Sequence, residues 1–372
     1  MWAANNRAHR GTPRSVTSLT RRQTRMTSSL ARHAAAPRSG LRRSPARHIH
    51  LVAACAAWAA TSAGAQSSIT LSGKVEMSVD HLRISSPNGS SRTLTALSSD
   101  SSRLIFEGVE DLGGGWGAKF KLDHGFNADT GTVGFGGIYF GREAMVGLVT
   151  PYGELRLGRN YIPMDDLTGP LDPFYFTGIG AAWPMTLFTP RINNSVKYLS
   201  PRMGGFQVRA LASASEGIRG AQYTGLGVSY NDTNFDLHAA YTIQKNAVPT
   251  GDRKEFMVGG DYKFGGPRLT GFYIQRNDPG QPRRSSALVG TNWPLGAGEI
   301  RASYLVERQG ASKASRVALQ YMHFLSRRTA VFAGIARLNN GAGFSETLNP
   351  ALPVLAKGED VMGTQLGVRH SF

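Results

Sequence analysis

The chain has 372 residues, 42 of them basic and 25 acidic, for a formal charge of +17. Eleven Arg and no acidic group fall within residues 1–65, so residues 66–372 hold 31 basic against 25 acidic side chains, or +6. That arithmetic removes the main support for a nucleic-acid partner, and a lone cysteine at position 55 rules out an internal disulfide framework.

The N-terminal segment reads as a secretory signal. Arg42, Arg43 and Arg47 form its basic region and residues 51–60 its apolar region. Ala63-Gly64-Ala65 is an A-x-A site, with cleavage before Gln66. Residues 1–25 exceed what a signal needs, which makes Met26 a second candidate start. Two rivals stand beside this reading. An organelle transit peptide suits the Arg- and Ser-rich, acid-free composition. A lipoprotein box at Cys55 is the other, although His48 and His50 interrupt its apolar run. Cleavage after Ala65 leaves residues 66–372 as one domain without cysteine, suited to an oxidising periplasm. No apolar run of about 18 residues follows, so no membrane helix is expected.

Beyond residue 66, apolar and polar residues alternate with the period of a strand. In 116–123, Trp116, Ala118, Phe120 and Leu122 share one face, while Lys119, Lys121 and Asp123 share the other. Segments 235–242 and 299–307 behave alike, with Phe235, Leu237, Ala239 and Tyr241 on one face of the first. The runs approach the roughly 9–11 residues that cross a bilayer at a tilt. Their connections alternate in length. Tight turns are expected at 113–115, 151–153, 202–205, 231–233, 265–266, 295–297 and 326–327. Longer loops are expected near 85–101, 129–140, 162–190, 215–221, 246–253, 278–284, 309–314 and 340–358. Eight long loops separated by seven turns predict an all-β, sixteen-stranded antiparallel barrel with both ends on the short-turn side. A barrel that wide encloses water. Unpaired amides are costly in hydrocarbon, so the last strand should close onto the first near 69–79. Aromatics near strand ends, among them Trp116, Tyr152, Tyr198, Tyr230, Tyr262, Tyr273, Trp293, Tyr304 and Tyr321, fit an interfacial girdle. The chain ends on an alternating segment, 361–372, with Leu366, Val368 and Phe372 on its apolar face.

Several stretches then carry a resemblance. They are Ser67-Ser-Ile-Thr-Leu-Ser-Gly73, Ser102-Arg-Leu-Ile-Phe-Glu-Gly-Val-Glu-Asp-Leu-Gly-Gly-Gly115, Gly141-Arg-Glu-Ala-Met-Val-Gly-Leu148, Leu157-Gly-Arg-Asn-Tyr161, Arg191-Ile-Asn-Asn-Ser-Val-Lys-Tyr198 and the terminal Phe372. In this order the chain resembles the trimeric general porins of Gram-negative bacteria, especially the β-proteobacterial branch. The resemblance implies an outer-membrane homotrimer with a third loop folded into each pore. It also implies a terminal aromatic, here Phe372, read by the outer-membrane assembly machinery, and surface loops that meet lipopolysaccharide.

It further implies a row of basic wall residues facing acids on that loop. By motif the basic positions fall on Arg103, Arg159 and Arg191, with Arg142 a further candidate and Lys119 and Lys121 on the polar face of their strand. The loop, 162–190, supplies Asp165, Asp166 and Asp172 with Tyr161, Phe174, Tyr175, Phe176 and Trp183. The family's Pro-Glu-Phe-Gly motif is absent, and Asp172-Pro-Phe174 is the nearest match. Strict alternation from Leu155 and Leu157 would turn Arg159 to lipid unless a bulge intervenes. Glu107 lies at i+4 from Arg103 and is placed to neutralise it.

These features predict passive passage of ions and small hydrophilic solutes through a water-filled pore, with weak anion preference. A substrate-selective anion channel and a non-conducting structural or adhesin barrel are the alternatives. No G-x-S-x-G elbow, H-E-x-x-H or metal-ligand spacing occurs, so neither catalysis nor a metal or other cofactor is expected.

Overall fold

The computed structural model describes residues 68–349 and 355–372. The leader, Cys55 and the A-x-A site lie outside the described residues. Sixteen antiparallel strands follow one another around a closed barrel. They are β1 Ser68–Ser85, β2 in two pieces (Ser91–Ser98 and Arg103–Gly113), β3 Trp116–Asn127, β4 Glu143–Thr150, β5 Gly153–Tyr161, β6 Arg191–Leu199, β7 Phe206–Ser213, β8 Tyr223–Asn231, β9 Phe235–Val248, β10 Gly251–Lys263, β11 Arg268–Asn277, β12 Arg284–Leu295, β13 Gly298–Gln309, β14 Ser312–Phe324, β15 Thr329–Asn340 and β16 Asp360–Ser371.

The barrel closes where expected. β16 pairs with β1 from Lys74 opposite Ser371 to Ser85 opposite Asp360. Phe372 extends the ladder by exchanging backbone bonds with Gly73 at 3.0 and 3.1 Å. β2 breaks at residues 99–102, where Ser101 has φ 64°. Its first piece pairs with residues 78–85 of β1 and its second with residues 68–74. β1 therefore keeps a hydrogen-bonded neighbour along its length, as hydrocarbon demands.

Alternation is realised as two faces. Leu366 and Val368 point outward and are exposed, whereas Gln365 is buried inside. Trp116, Tyr152, Tyr198, Tyr262, Trp293, Tyr321 and Phe372 stand exposed on the outer wall near the short-turn rim. Tyr273 and Tyr304 sit farther along their strands.

The turns fall at the expected places, but two expected long loops are hairpins. β9 and β10 continue to a connection at 249–250, and β13 and β14 to one at 310–311. Beyond the bilayer both faces of a hairpin meet water, so the apolar alternation fades while the hydrogen-bond ladder persists. Lys245 Nζ to Asp252 Oδ2 at 2.8 Å shows the polar pairing that replaces it. The first connection likewise shortens to residues 86–90, tied by Ser86 N donating to Ser90 O at 2.9 Å.

The apolar core lies inside the barrel. The segment between β5 and β6 packs Ile162, Met164, Leu167, Leu171, Phe174, Ile179 and Met185 against inward side chains that include Tyr223, Met257, Phe272, Leu288 and Leu305. The eighth loop adds Phe344 and Leu348 to the same cluster.

Candidate functional site

The third loop leaves β5, crosses the lumen and returns at β6. Its first turn is a short helix, α1 Pro163–Thr168, which Pro163 opens at a position where a missing N–H costs nothing. Tyr175 and Phe176 then adopt φ 52° and 58°, rare for side-chain-bearing residues. Asp172 explains how they are held. It is fully buried, and its oxygens accept from the amides of Phe174 (3.1 Å), Phe176 (3.0 Å) and Ala182 (2.8 Å).

The loop is seated on the wall at glycines. A Cβ at Gly259 would lie 2.5 Å from Leu171 Cδ1, and one at Gly290 2.5 Å from Pro173 Cγ. Buried carbonyls need donors, and the wall supplies them. Thr270 Oγ1 donates to Leu171 O (2.9 Å), Asn292 Nδ2 to Pro173 O (3.0 Å) and Arg276 Nη1 to Leu187 O (3.1 Å). Arg268 donates to Pro170 O, and the buried Arg316 to Ala181 O. From β16, Arg369 Nη2 donates to Thr177 Oγ1 (2.9 Å).

The loop's free side faces the opposite wall across a cavity of about 520 Å³. Asp165, Tyr175, Phe176 and Trp183 line it from the loop, and Asp100, Tyr161, Arg142 and Arg191 from the wall. Phe135, from the loop between β3 and β4, enters between them. Arg191 lies 4.4 Å from the Tyr161 ring centre and 4.7 Å from that of Phe135, and its Nη2 donates to Tyr161 Oη at 3.1 Å. Arg142 lies 5.3 Å from the Phe135 ring and bonds Asp123 at 3.3 Å. Arg103 approaches the same Asp123 at 4.0 Å, so one carboxylate serves two guanidinium groups. Burial pushes the Asp165 carboxyl up to about 7, against the pull of Arg191 and Arg142.

The other expected site residues are placed elsewhere. Lys119 pairs with Glu107 (2.8 Å) and Lys121 with Glu143 (2.9 Å). Arg156 completes the ladder with Glu143 (3.3 Å) and Glu154 (2.7 Å), giving three bases against three acids. Glu107 thus balances Lys119 rather than Arg103, because the β2–β3 register sets Glu107 opposite Lys121 and beside Lys119. Asp166 is turned to Lys197 (2.5 Å) and Arg209 (3.8 Å), away from the cavity. Asp172 is not a pore-lining acid, since the amides that it accepts turn it into the loop.

The register shift beside Gly158 and Asn160 puts its extra residue on β6, between Ile192 and Ser195, so Arg159 keeps the outward parity of Leu155 and Leu157 and pairs with Ala144. Its guanidinium accordingly stays on the wall, donating to Gly141 O (2.9 Å) and Asn193 Oδ1 (2.5 Å). The anchoring arginines 268, 276, 316 and 369 escape sequence reasoning, although each stands on the lumen parity of its strand. Phe135 escapes it as well, being a loop residue with no periodicity.

A family model described as Gram-negative porin matches residues 51–343. Outer membrane porin protein 32 of Delftia acidovorans is 32% identical over 352 residues, spanning 87% of this chain and 99% of that protein. An outer membrane porin protein of Bordetella pertussis is 26% identical, over 73% of this chain and 82% of that protein. The solved structure of an anion-selective porin from Comamonas acidovorans superposes with a TM-score of 0.73 at 32% identity, covering 82% of this chain and all of that one.

Proposed function

The chain belongs to the Gram-negative porin family and is a channel-forming barrel of the outer membrane, and we propose that its pore passes small hydrophilic solutes and ions passively, with a preference for anions set by Arg103, Arg142 and Arg191. One observation carries this reading. The guanidinium groups of Arg103, Arg142 and Arg191 stand with Asp100, Asp123 and Asp165 at the constriction, and burial raises the carboxyls of Asp100 and Asp165 to about 6 and about 7. At about 4 Å an ion gains roughly 1 kcal/mol from one such charge in water and about 4 kcal/mol at an effective dielectric of 20. An unbalanced guanidinium therefore biases which ions enter. The anion selectivity named for the Comamonas structure supports the same reading.

Asp165 is the loop's acid at the constriction, and Asp100 stands on the wall side of the same cavity. The ladder of Lys119, Lys121 and Arg156 with Glu107, Glu143 and Glu154 shapes the wall without net charge. Arg159 positions the start of β4. In this reading the chain works as a homotrimer in lipid and lipopolysaccharide, residues 1–65 are removed on export, and no catalysis or cofactor is involved. Phe372 is the segment read by the assembly machinery, so its deletion should lower outer-membrane yield while export stays normal. The selectivity reading is tested by Arg191→Glu and Arg142→Glu in planar bilayers under a salt gradient. Reversal potentials should move toward cations, and unchanged potentials in both would refute it.

A further inference from the structure

Six aromatic residues line the constriction cavity: Phe126, Phe135, Tyr161, Tyr175, Phe176 and Trp183. A path for hydrated anions alone gains nothing from such walls, since a ring face is the negative side of its quadrupole. The placement is also conformationally demanding. Phe135 has φ 53° and is followed by Gly136 and Gly137 at φ 68° and 84°. Its ring fills space that two other glycines leave open. A Cβ at Gly125 would lie 2.2 Å from Phe135 Cε2, and one at Gly141 2.6 Å from Phe135 Cβ. The ring thereby comes to lie against the guanidinium groups of Arg191 and Arg142.

Arg191 lies over the rings of both Phe135 and Tyr161, with its Cζ 4.7 and 4.4 Å from their centres. Its buried Nε has no hydrogen-bond partner among the described residues. A guanidinium set against aromatic rings, with its Nε unfilled, offers a charged donor to a carboxylate oxygen. The surrounding ring faces match a planar π-system. The cavity, at about 520 Å³, lies within the roughly 300–1,000 Å³ range of small-molecule sites.

We propose that the constriction is a binding slot for planar aromatic carboxylates, with the carboxylate on the edges of Arg191 and Arg142 and the ring against Phe135 and its neighbouring aromatics. The proposal rests on the anion-channel reading and narrows its solute class. Inorganic phosphate would use the arginines and leave the rings idle, whereas a neutral sugar would use the rings and leave the arginines idle.

Purified protein in a planar bilayer, carrying chloride current, tests this with three added probes of one charge: benzoate, cyclohexanecarboxylate and acetate. Benzoate is expected to reduce the current saturably, with a half-effect concentration about tenfold below that of cyclohexanecarboxylate, which has equal bulk and no π-face. Tenfold corresponds to about 1.4 kcal/mol, the scale of one aromatic pair. Phe135→Leu should raise the benzoate value several-fold, by a clearly larger factor than it changes the acetate value. The wild-type comparison decides the matter even where that variant fails to assemble. Equal effects of benzoate and cyclohexanecarboxylate would overturn the slot while leaving an anion-selective channel in place. Absence of chloride current from inserted protein would overturn the channel reading itself, and the slot with it.

Discussion

Replacing Asp172 by Ala tests whether the pore loop is held from within. Asp172 is 0% exposed and takes three backbone amides at 2.8–3.1 Å. A hydrogen bond to a charged acceptor is worth about 1.5–3 kcal/mol, and a buried amide stranded without one costs about 1–3 kcal/mol. Three stranded amides amount to roughly 3–6 kcal/mol, allowing for the bonds not being additive. A loop of 29 residues, 162–190, relieves such a cost by rearranging, while the strand ladder is untouched. Tyr175 and Phe176 would relax first, since Asp172 fixes their left-handed backbone on both sides. The assay is single-channel recording with a heat-stability series on the folded barrel. We expect wild-type barrel stability, a changed mean conductance and clearly greater open-channel noise. Asp172→Asn, keeping one acceptor oxygen, should fall between. Wild-type conductance and noise in Asp172→Ala would refute the internal brace. A shift in reversal potential without added noise would also refute it, because Asp172 would then be acting as a pore charge.

Three further outcomes follow from the same geometry. Asp165 titrates near pH 7 because burial raises its carboxyl. Below that pH it is neutral and above it opposes Arg142 and Arg191, so anion preference should rise as pH falls through about 7; Asp165→Asn should remove this step from the reversal-potential profile. Gly290→Val drives a methyl into Pro173 and the Ala302 carbonyl, at 2.5 and 2.7 Å from the new Cβ. Overpacking costs about 1–3 kcal/mol, and displacement of the loop should appear as altered conductance with selectivity of the same sign. The double change Lys119→Gln with Glu107→Gln removes one pair of a balanced ladder, so reversal potential should stay at the wild-type value and barrel stability should change by less than about 1 kcal/mol.

Periodicity makes most of the barrel legible in the sequence, because a strand between lipid and lumen must alternate. The closure of β16 on β1 and the span of the third loop follow from that and from turn chemistry. Where water bathes both faces the constraint lapses, and the hairpins at 249–250 and 310–311 pass for loops. Acidic residues in one loop carry no sequence mark of direction. Asp165 faces the cavity, Asp166 faces Lys197 and Asp172 faces inward, a difference made by local turns and by contacts with distant strands. Arg316 shows the same limit from the other side. Its lumen parity is readable, but its bond to Ala181 O spans 135 residues and exists only once the loop is seated. Phe135 depends on the space left by Gly125 and Gly141, which no pattern in its own segment announces.

The most direct test of the charged constriction is the zero-current potential of the purified wild-type channel across a potassium chloride gradient, at a pH about one unit below the Asp165 value of about 7. The three arginines then face Asp123 and a partly charged Asp100 with Asp165 largely neutral, and the potential should lie on the chloride side. A potential on the potassium side would contradict the account, giving control of the pore to its acids rather than to Arg103, Arg142 and Arg191.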